Sequence, residues 1–112
     1  MNAGDRAERI AAEYLQGKGL AVIETRYRSR WGEIDLILRD RDTLVFAEVR
    51  LRRSKTFGGA AYSVDRRKQA RIIATARHYL ARTREAPCRF DVVLMEDIDP
   101  PRIEWIRDAF SA

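Results

Sequence analysis

Residues 32–53 read GEIDLILRDRDTLVFAEVRLRR, and the fold follows from how this stretch alternates. Ile34, Leu36 and Leu38 alternate with Glu33, Asp35 and Ile37, and Thr43, Val45, Ala47 and Val49 alternate with Leu44, Phe46, Glu48 and Arg50. Strand side chains change face with period two, so the segments at about 33–39 and 43–51 read as the two arms of a hairpin. Both faces of both arms are mainly apolar, as expected for central strands covered on both sides. With Arg41 and Asp42 as a two-residue loop, Asp40 lies opposite Thr43, Asp35 opposite Glu48, and Glu33 opposite Arg50. Arg-Asp lacks the glycine that such turns prefer, and a longer loop would change this pairing.

The acids in these arms need a reason, because a buried charge is costly unless it is paired or bound to metal. Ordinary ion pairs are one answer, Glu33 with Arg50 across the hairpin and Glu48 with Arg52 or Arg53. The other is a divalent-cation site. Directly opposed residues have Cβ atoms about 5 Å apart, so Asp35 and Glu48 repel unless a cation lies between them. Hard oxygen ligands suit Mg²⁺ or Mn²⁺. The apolar surroundings favour acids that line a cleft, and a metal site beside a basic surface points to a nuclease.

Outward from the hairpin, residues 5–17 read as a helix with Asp5 as N-cap, Glu8 as its capping-box partner, and an apolar stripe of Ala7, Ile10, Ala11, Tyr14 and Leu15. Glu8 sits at the edge of that stripe, where it can reach a cleft at the sheet, and Glu13 falls on the far side. Residues 20–27 read as a first strand and 52–63 as a basic loop with Arg52, Arg53 and Lys55. Residues 65–82 read as a second helix with apolar positions Ala70, Ile73, Ala74, Leu80 and Ala81. Its flank of Arg67, Arg71, His78 and Arg82 is either a solvated face or a row of phosphate contacts. Residues 89–95 read as a strand containing Asp91, which either supports the site or pairs with Arg89, and Ile103–Ile106 as a short last strand. This order predicts one α/β domain over residues 1–112, a central mixed sheet flanked by helices.

Composition bounds the partners. The 112 residues are 46% hydrophobic with a net charge of +5, and no apolar run or signal-peptide pattern interrupts the expectation of a soluble, cytoplasmic protein without a membrane partner. The pI near 9.9 is compatible with nucleic acid. One cysteine, Cys88, leaves no intrachain disulfide, and with a single His78 it leaves no Cys/His zinc set.

The segments GEIDLI, VFAEVRLRR, RFDVV and IRDAF, in this order over nearly the whole chain, resemble the YraN family of small bacterial proteins. That family is similar in turn to the Holliday-junction-resolvase branch of the PD-(D/E)xK, restriction-endonuclease-like nucleases. The resemblance implies an αβββαβ core and a metal-dependent endodeoxyribonuclease. Asp35 matches the first metal-binding acid, Glu48 the acid of the ExK motif, the Val49 carbonyl a further ligand, and Glu8 the helix glutamate of junction resolvases. The ExK lysine is Arg50 here, which keeps the charge but does not give up a proton. Lys55 or Lys68 could compensate. The implied substrate is DNA, branched DNA by analogy, with Arg52, Arg53, Lys55, Arg67 and Arg71 on the backbone. Symmetric resolution would call for a homodimer. Two rival expectations remain: a nucleic-acid-binding protein that has lost cleavage, and an interaction module with Trp31, Trp105 and Phe110 on its surface.

Overall fold

A computed structural model describes residues 2–52 and 64–112. The order is α1 (Ala3–Gly17), β1 (Ala21–Ser29), β2 (Gly32–Asp40), β3 (Thr43–Arg52), α2 (Arg66–Arg82), β4 (Cys88–Ile98) and β5 (Pro101–Phe110). The sheet has five strands in the order β1-β2-β3-β4-β5, antiparallel except for β3 and β4, which run parallel and are connected through α2. This is the mixed sheet flanked by helices that the alternation predicts. The last strand is much longer than Ile103–Ile106, because β4 extends to Ile98 and offers backbone partners along its length. Arg53 and Lys55 lie outside the described residues, and Arg52 closes β3. Among the described residues no helix is long and apolar enough to cross a membrane.

The hairpin has the expected register. Asp40 pairs with Thr43, Leu38 with Val45 and Leu36 with Ala47. Arg41 supplies the left-handed backbone that glycine would, with φ 58°. The ladder stops at Leu36 and Ala47, one step before Asp35 would face Glu48.

Each sheet face has its own core. Ala7, Ala11 and Leu15 of α1 pack on Leu36, Leu38, Val45, Ala47, Val93 and Met95. On the other face α2 covers Ile34, Ile37, Phe46, Phe90 and Val92. The buried face of α2 is Ile72, Thr75, Ala76, Tyr79 and Leu80; of the stripe anticipated above, Leu80 is buried and Ile73 packs against the core, whereas Ala70 and Ala81 are exposed. Hydropathy alone misplaces this face because Thr75 is fully buried with its hydroxyl matched to Ser29 Oγ at 2.8 Å. The N-cap of α1 is Asn2, whose side chain accepts from the Asp5 N–H at 2.8 Å. Asp5 and Glu8 are thereby released from capping, and both bind Arg26.

Asp91 is fully buried on the α1 face and is a structural acid. Its carboxylate accepts from Arg89 Nε at 3.0 and 3.3 Å, from Trp105 Nε1 at 2.9 Å and from the Asp108 N–H at 2.9 Å. Arg89 continues to Asp40 at 3.0 Å. The cluster ties β5 and the hairpin to β4, and enough donors converge to offset the desolvation of the charge.

Candidate metal centre

At the level of Asp35 the sheet is irregular on both sides. Thr25 pairs with Leu36 and Tyr27 with Ile34, but the intervening Arg26 has φ 52°. A left-handed arginine costs on the order of 1 kcal/mol or more, and such strain gathers at functional positions. Here it turns Arg26 to α1, where Nε donates to Glu8 Oε1 at 2.8 Å and Nη2 reaches Asp5. On the other side the β2–β3 ladder has ended, and Asp35 Oδ2 accepts the Val49 N–H at 2.8 Å in place of a backbone partner.

Three carboxylates meet at this gap, and a fourth adjoins one of them. Glu8 from α1 and Glu33 and Asp35 from β2 each place one oxygen so that all three lie within 4.8 Å of one another. Glu48 of β3 adjoins from the α2 side, close enough for its charge to act on Asp35. Burial, then the Glu48 charge, push the Asp35 carboxyl up to about 7, against the opposing Val49 N–H. Burial also raises Glu8, with Asp35 and Glu33 adding to it and Arg26 working against it.

The side chains fit a hard cation. Oxygens bound to one Mg²⁺ at about 2.1 Å lie no more than about 4.2 Å apart, so small rotations of partly exposed side chains suffice to close the trio. Burial and then the Glu48 charge raise the Asp35 carboxyl, and a cation bound there would oppose both.

Glu48 is only 5% exposed, and two cations converge on its Oε2, Lys68 Nζ at 3.4 Å and Arg50 Nη1 at 3.6 Å. The N-cap of α2 positions Lys68 directly, since Asp65 Oδ1 accepts the Lys68 N–H at 2.8 Å. Of the basic flank of α2, His78 and Arg82 turn to the Tyr27 hydroxyl, at 2.7 and 3.2 Å. Arg67 and Arg71 remain exposed.

The structure therefore brings together Glu8, Asp35, Glu48, the Val49 backbone and Arg50. The anticipated Glu33–Arg50 pairing gives way to an ion pair of Glu33 with Arg28 at 2.8 Å, because β2 leaves β3 before that position and stays with β1. Two contributors were undervalued. Glu33 shares the strand spacing of Asp35, a signal that could have included it. Lys68 has no motif spacing, and only its place one turn behind a helix cap singles it out. Of the aromatics considered for a surface, Trp105 packs edge-on against Tyr14 and Phe110 stacks on Phe90, while Trp31 is exposed.

Residues 7–95 match the model of the family described as "Uncharacterised protein family UPF0102". The chain is 52% identical over 109 residues to a UPF0102 protein of Methylobacillus flagellatus, covering 97% of this chain and 96% of that protein. It is 54% identical over 111 residues to a UPF0102 protein of Nitrosomonas europaea, covering 98% and 94%. Similarity extends to a Pseudomonas aeruginosa UPF0102 protein at 45% identity over 115 residues, covering 97% and 92%.

Proposed function

The chain belongs to the UPF0102 family, the YraN-like proteins, and since that family name carries no activity we propose from the site itself that it is a metal-dependent phosphodiesterase acting on DNA. The observation that carries the reading is the convergence of Glu8 from α1 with Glu33 and Asp35 from β2, next to Glu48 of β3, which adjoins Asp35 and draws two cations. Asp91 is neutralised where it lies by Arg89. Glu8, Glu33 and Glu48 each have a basic partner as well, but Asp35 sits partly buried among them with only the Val49 N–H to oppose their charge, a position that a bound cation would stabilise.

Asp35, Glu48, Glu8 and Glu33 would hold Mg²⁺ or Mn²⁺, with the Val49 carbonyl as a further oxygen. When bound, the metal supplies Lewis acidity toward a phosphate oxygen and lowers the pKa of water. The reaction is attack of water on phosphorus, cleavage of the bond to the leaving sugar oxygen, and net proton transfer from the water to that oxygen. Lys68 is the group suited to orient the water and stabilise negative charge building on the phosphate, since an ammonium can rotate its donors and exchange a proton. Arg50 retains its proton and serves electrostatically. Arg67 and Arg71 would hold the backbone through contacts that weaken with salt and read few bases. Branched DNA is a substrate by analogy with the resolvases, and its symmetric resolution would require two copies of the chain. The arginine in the EVR segment favours a second reading, binding without cleavage.

One assay separates these readings: cleavage of branched, single-stranded and duplex DNA with Mg²⁺ or Mn²⁺. Wild type is run beside Asp35→Ala, Glu48→Ala and Lys68→Met. The nuclease reading expects metal-dependent cutting, lost in both acid variants and reduced about 100-fold or more in Lys68→Met, the scale of a positioned acid–base group. Salt-sensitive binding without cutting would select the binding protein. Cutting that survives both acid substitutions would overturn the proposed site.

A further inference from the structure

Resting on the DNA reading, we propose that Trp31 is a stacking platform for an unpaired base beside the acidic centre, so that the preferred ligand is single-stranded or locally opened DNA. A lone exposed aromatic is ordinary on a protein surface. Trp31 differs in how it is held and in what surrounds it.

Trp31 occupies the corner between β1 and β2 and is 42% exposed. The corner is fixed to α2 at three points. The Trp31 N–H donates to Ser29 Oγ at 3.1 Å, and Ser29 Oγ is bonded to buried Thr75 Oγ1 at 2.8 Å. Gly32, with φ 152°, lies so close to the helix that a Cβ built on it would stand 3.5 Å from Arg71 Cβ. The His78 ring is 5.9 Å from the indole and tilted by 59°. The backbone that carries the indole is thus held against α2, and the His78 ring flanks the side chain, which reduces the entropy lost on stacking.

The surroundings select the partner. Arg30 places its guanidinium over the indole, 4.9 Å from the ring centroid, and exposed Arg71 lies beside Gly32 on the adjoining helix. An apolar protein surface has little to match this density of arginine. A nucleotide matches both parts, its base on the indole and its phosphate on guanidinium groups. The bases of an intact duplex are already stacked on one another, so only an unpaired or extruded base can use the platform. The position also couples it to the centre. Glu33 of the acidic trio follows Trp31 by two residues and is held by Arg28 at 2.8 Å. At about 3.3 Å per strand residue, Asp35 is no more than about 13 Å away along β2.

The test is binding in the presence of a chelator, so that cleavage plays no part. Labelled oligothymidylate and a blunt-ended, fully paired duplex are titrated with wild type, Trp31→Ala and Trp31→Phe at two salt concentrations. Trp31→Ala should weaken oligothymidylate binding about 10-fold or more, the scale of one stacked base, and leave duplex binding within about 2-fold. Its salt dependence should not change, since no charge is removed. Trp31→Phe should restore most of the affinity. Oligothymidylate should quench the intrinsic tryptophan emission of wild type, and this quenching should be lost in Trp31→Phe. Unchanged single-strand affinity in Trp31→Ala, or equal loss on both ligands, would overturn the platform while leaving DNA binding intact. Absence of any DNA binding by wild type would overturn the DNA reading and the platform with it.

Discussion

Asp35→Asn should make the metal-free protein more stable at alkaline pH while abolishing metal-dependent activity. The Asp35 carboxyl rises from 3.8 to about 7 through burial and the charge of Glu48. The folded protein therefore keeps a proton that the unfolded chain releases at lower pH. Where the native state binds more protons, stability falls as pH rises, so wild type loses stability from about pH 4 to pH 7 and stays at the lower value above. A shift of about three units at about 1.4 kcal/mol each gives an upper bound near 4 kcal/mol. Two effects reduce it: the repulsion is shared with Glu48, which Lys68 and Arg50 already oppose, and the variant loses the charge-assisted part of the Val49 hydrogen bond, worth about 1 kcal/mol. Asparagine is close in shape and keeps an acceptor for that N–H, so the net gain should be about 1–3 kcal/mol at pH 8.5 and near zero at pH 4. Urea unfolding of both proteins with a chelator measures it, and groups unaffected by the substitution cancel in the difference. A gap equal at both pH values, or a variant less stable at pH 8.5, would refute the electrostatic account of the site. Saturating Mg²⁺ should then narrow the gap by stabilising wild type alone.

Calorimetric titration with Mn²⁺ should release protons at pH 6, seen as a dependence of the apparent enthalpy on buffer, and this should diminish by pH 8.5 as Asp35 ionises beforehand; buffer-independent heats at pH 6 would contradict it. Asp91→Ala should cost about 3–5 kcal/mol in urea unfolding, because it leaves Arg89 without its buried partner, whereas a loss under 1 kcal/mol would mean that the cluster holds little of the fold together.

Much of the fold was legible because the hairpin encodes its own register. Period two across residues 33–51 defines both arms, and a two-residue loop then dictates which residues oppose. Arg41 could take the turn without glycine because a single left-handed residue is a small cost against burial of Leu36, Leu38, Val45 and Phe46. The docking face of α2 was less legible. Apolar spacing weighs Ala70 and Ala81 above Thr75, but a hydroxyl with a partner on Ser29 can be buried while a methyl side chain can remain in water at little cost. The length of β5 was obscured by Pro100 and Pro101, which mark a turn but say nothing about how far the following strand continues.

The site was legible only where its members share a strand or follow from strand pairing. Asp35 and Glu48 come close because the hairpin register carries them to the end of the ladder, although the ladder stops one step before the direct pairing that alternation predicts. Alternation also predicts that Glu33 faces Arg50, and there it fails. The left-handed Arg26 and the early end of the β2–β3 ladder break the face pattern at Asp35, joining Glu33 to Glu8 of α1 instead. Sequence spacing carries no mark of that break. Lys68 is the sharper case. A motif counts positions along one strand and finds arginine where a proton-exchanging cation is wanted. The crossover returns α2 over β3, and its Asp65 cap delivers a lysine to the same Glu48 oxygen that Arg50 approaches. On the proposed nuclease reading the two cations would divide what one lysine does, both standing on the same Glu48 oxygen. On this argument Arg50→Lys should add little to any activity while Lys68 is present, and should restore part of it in Lys68→Met.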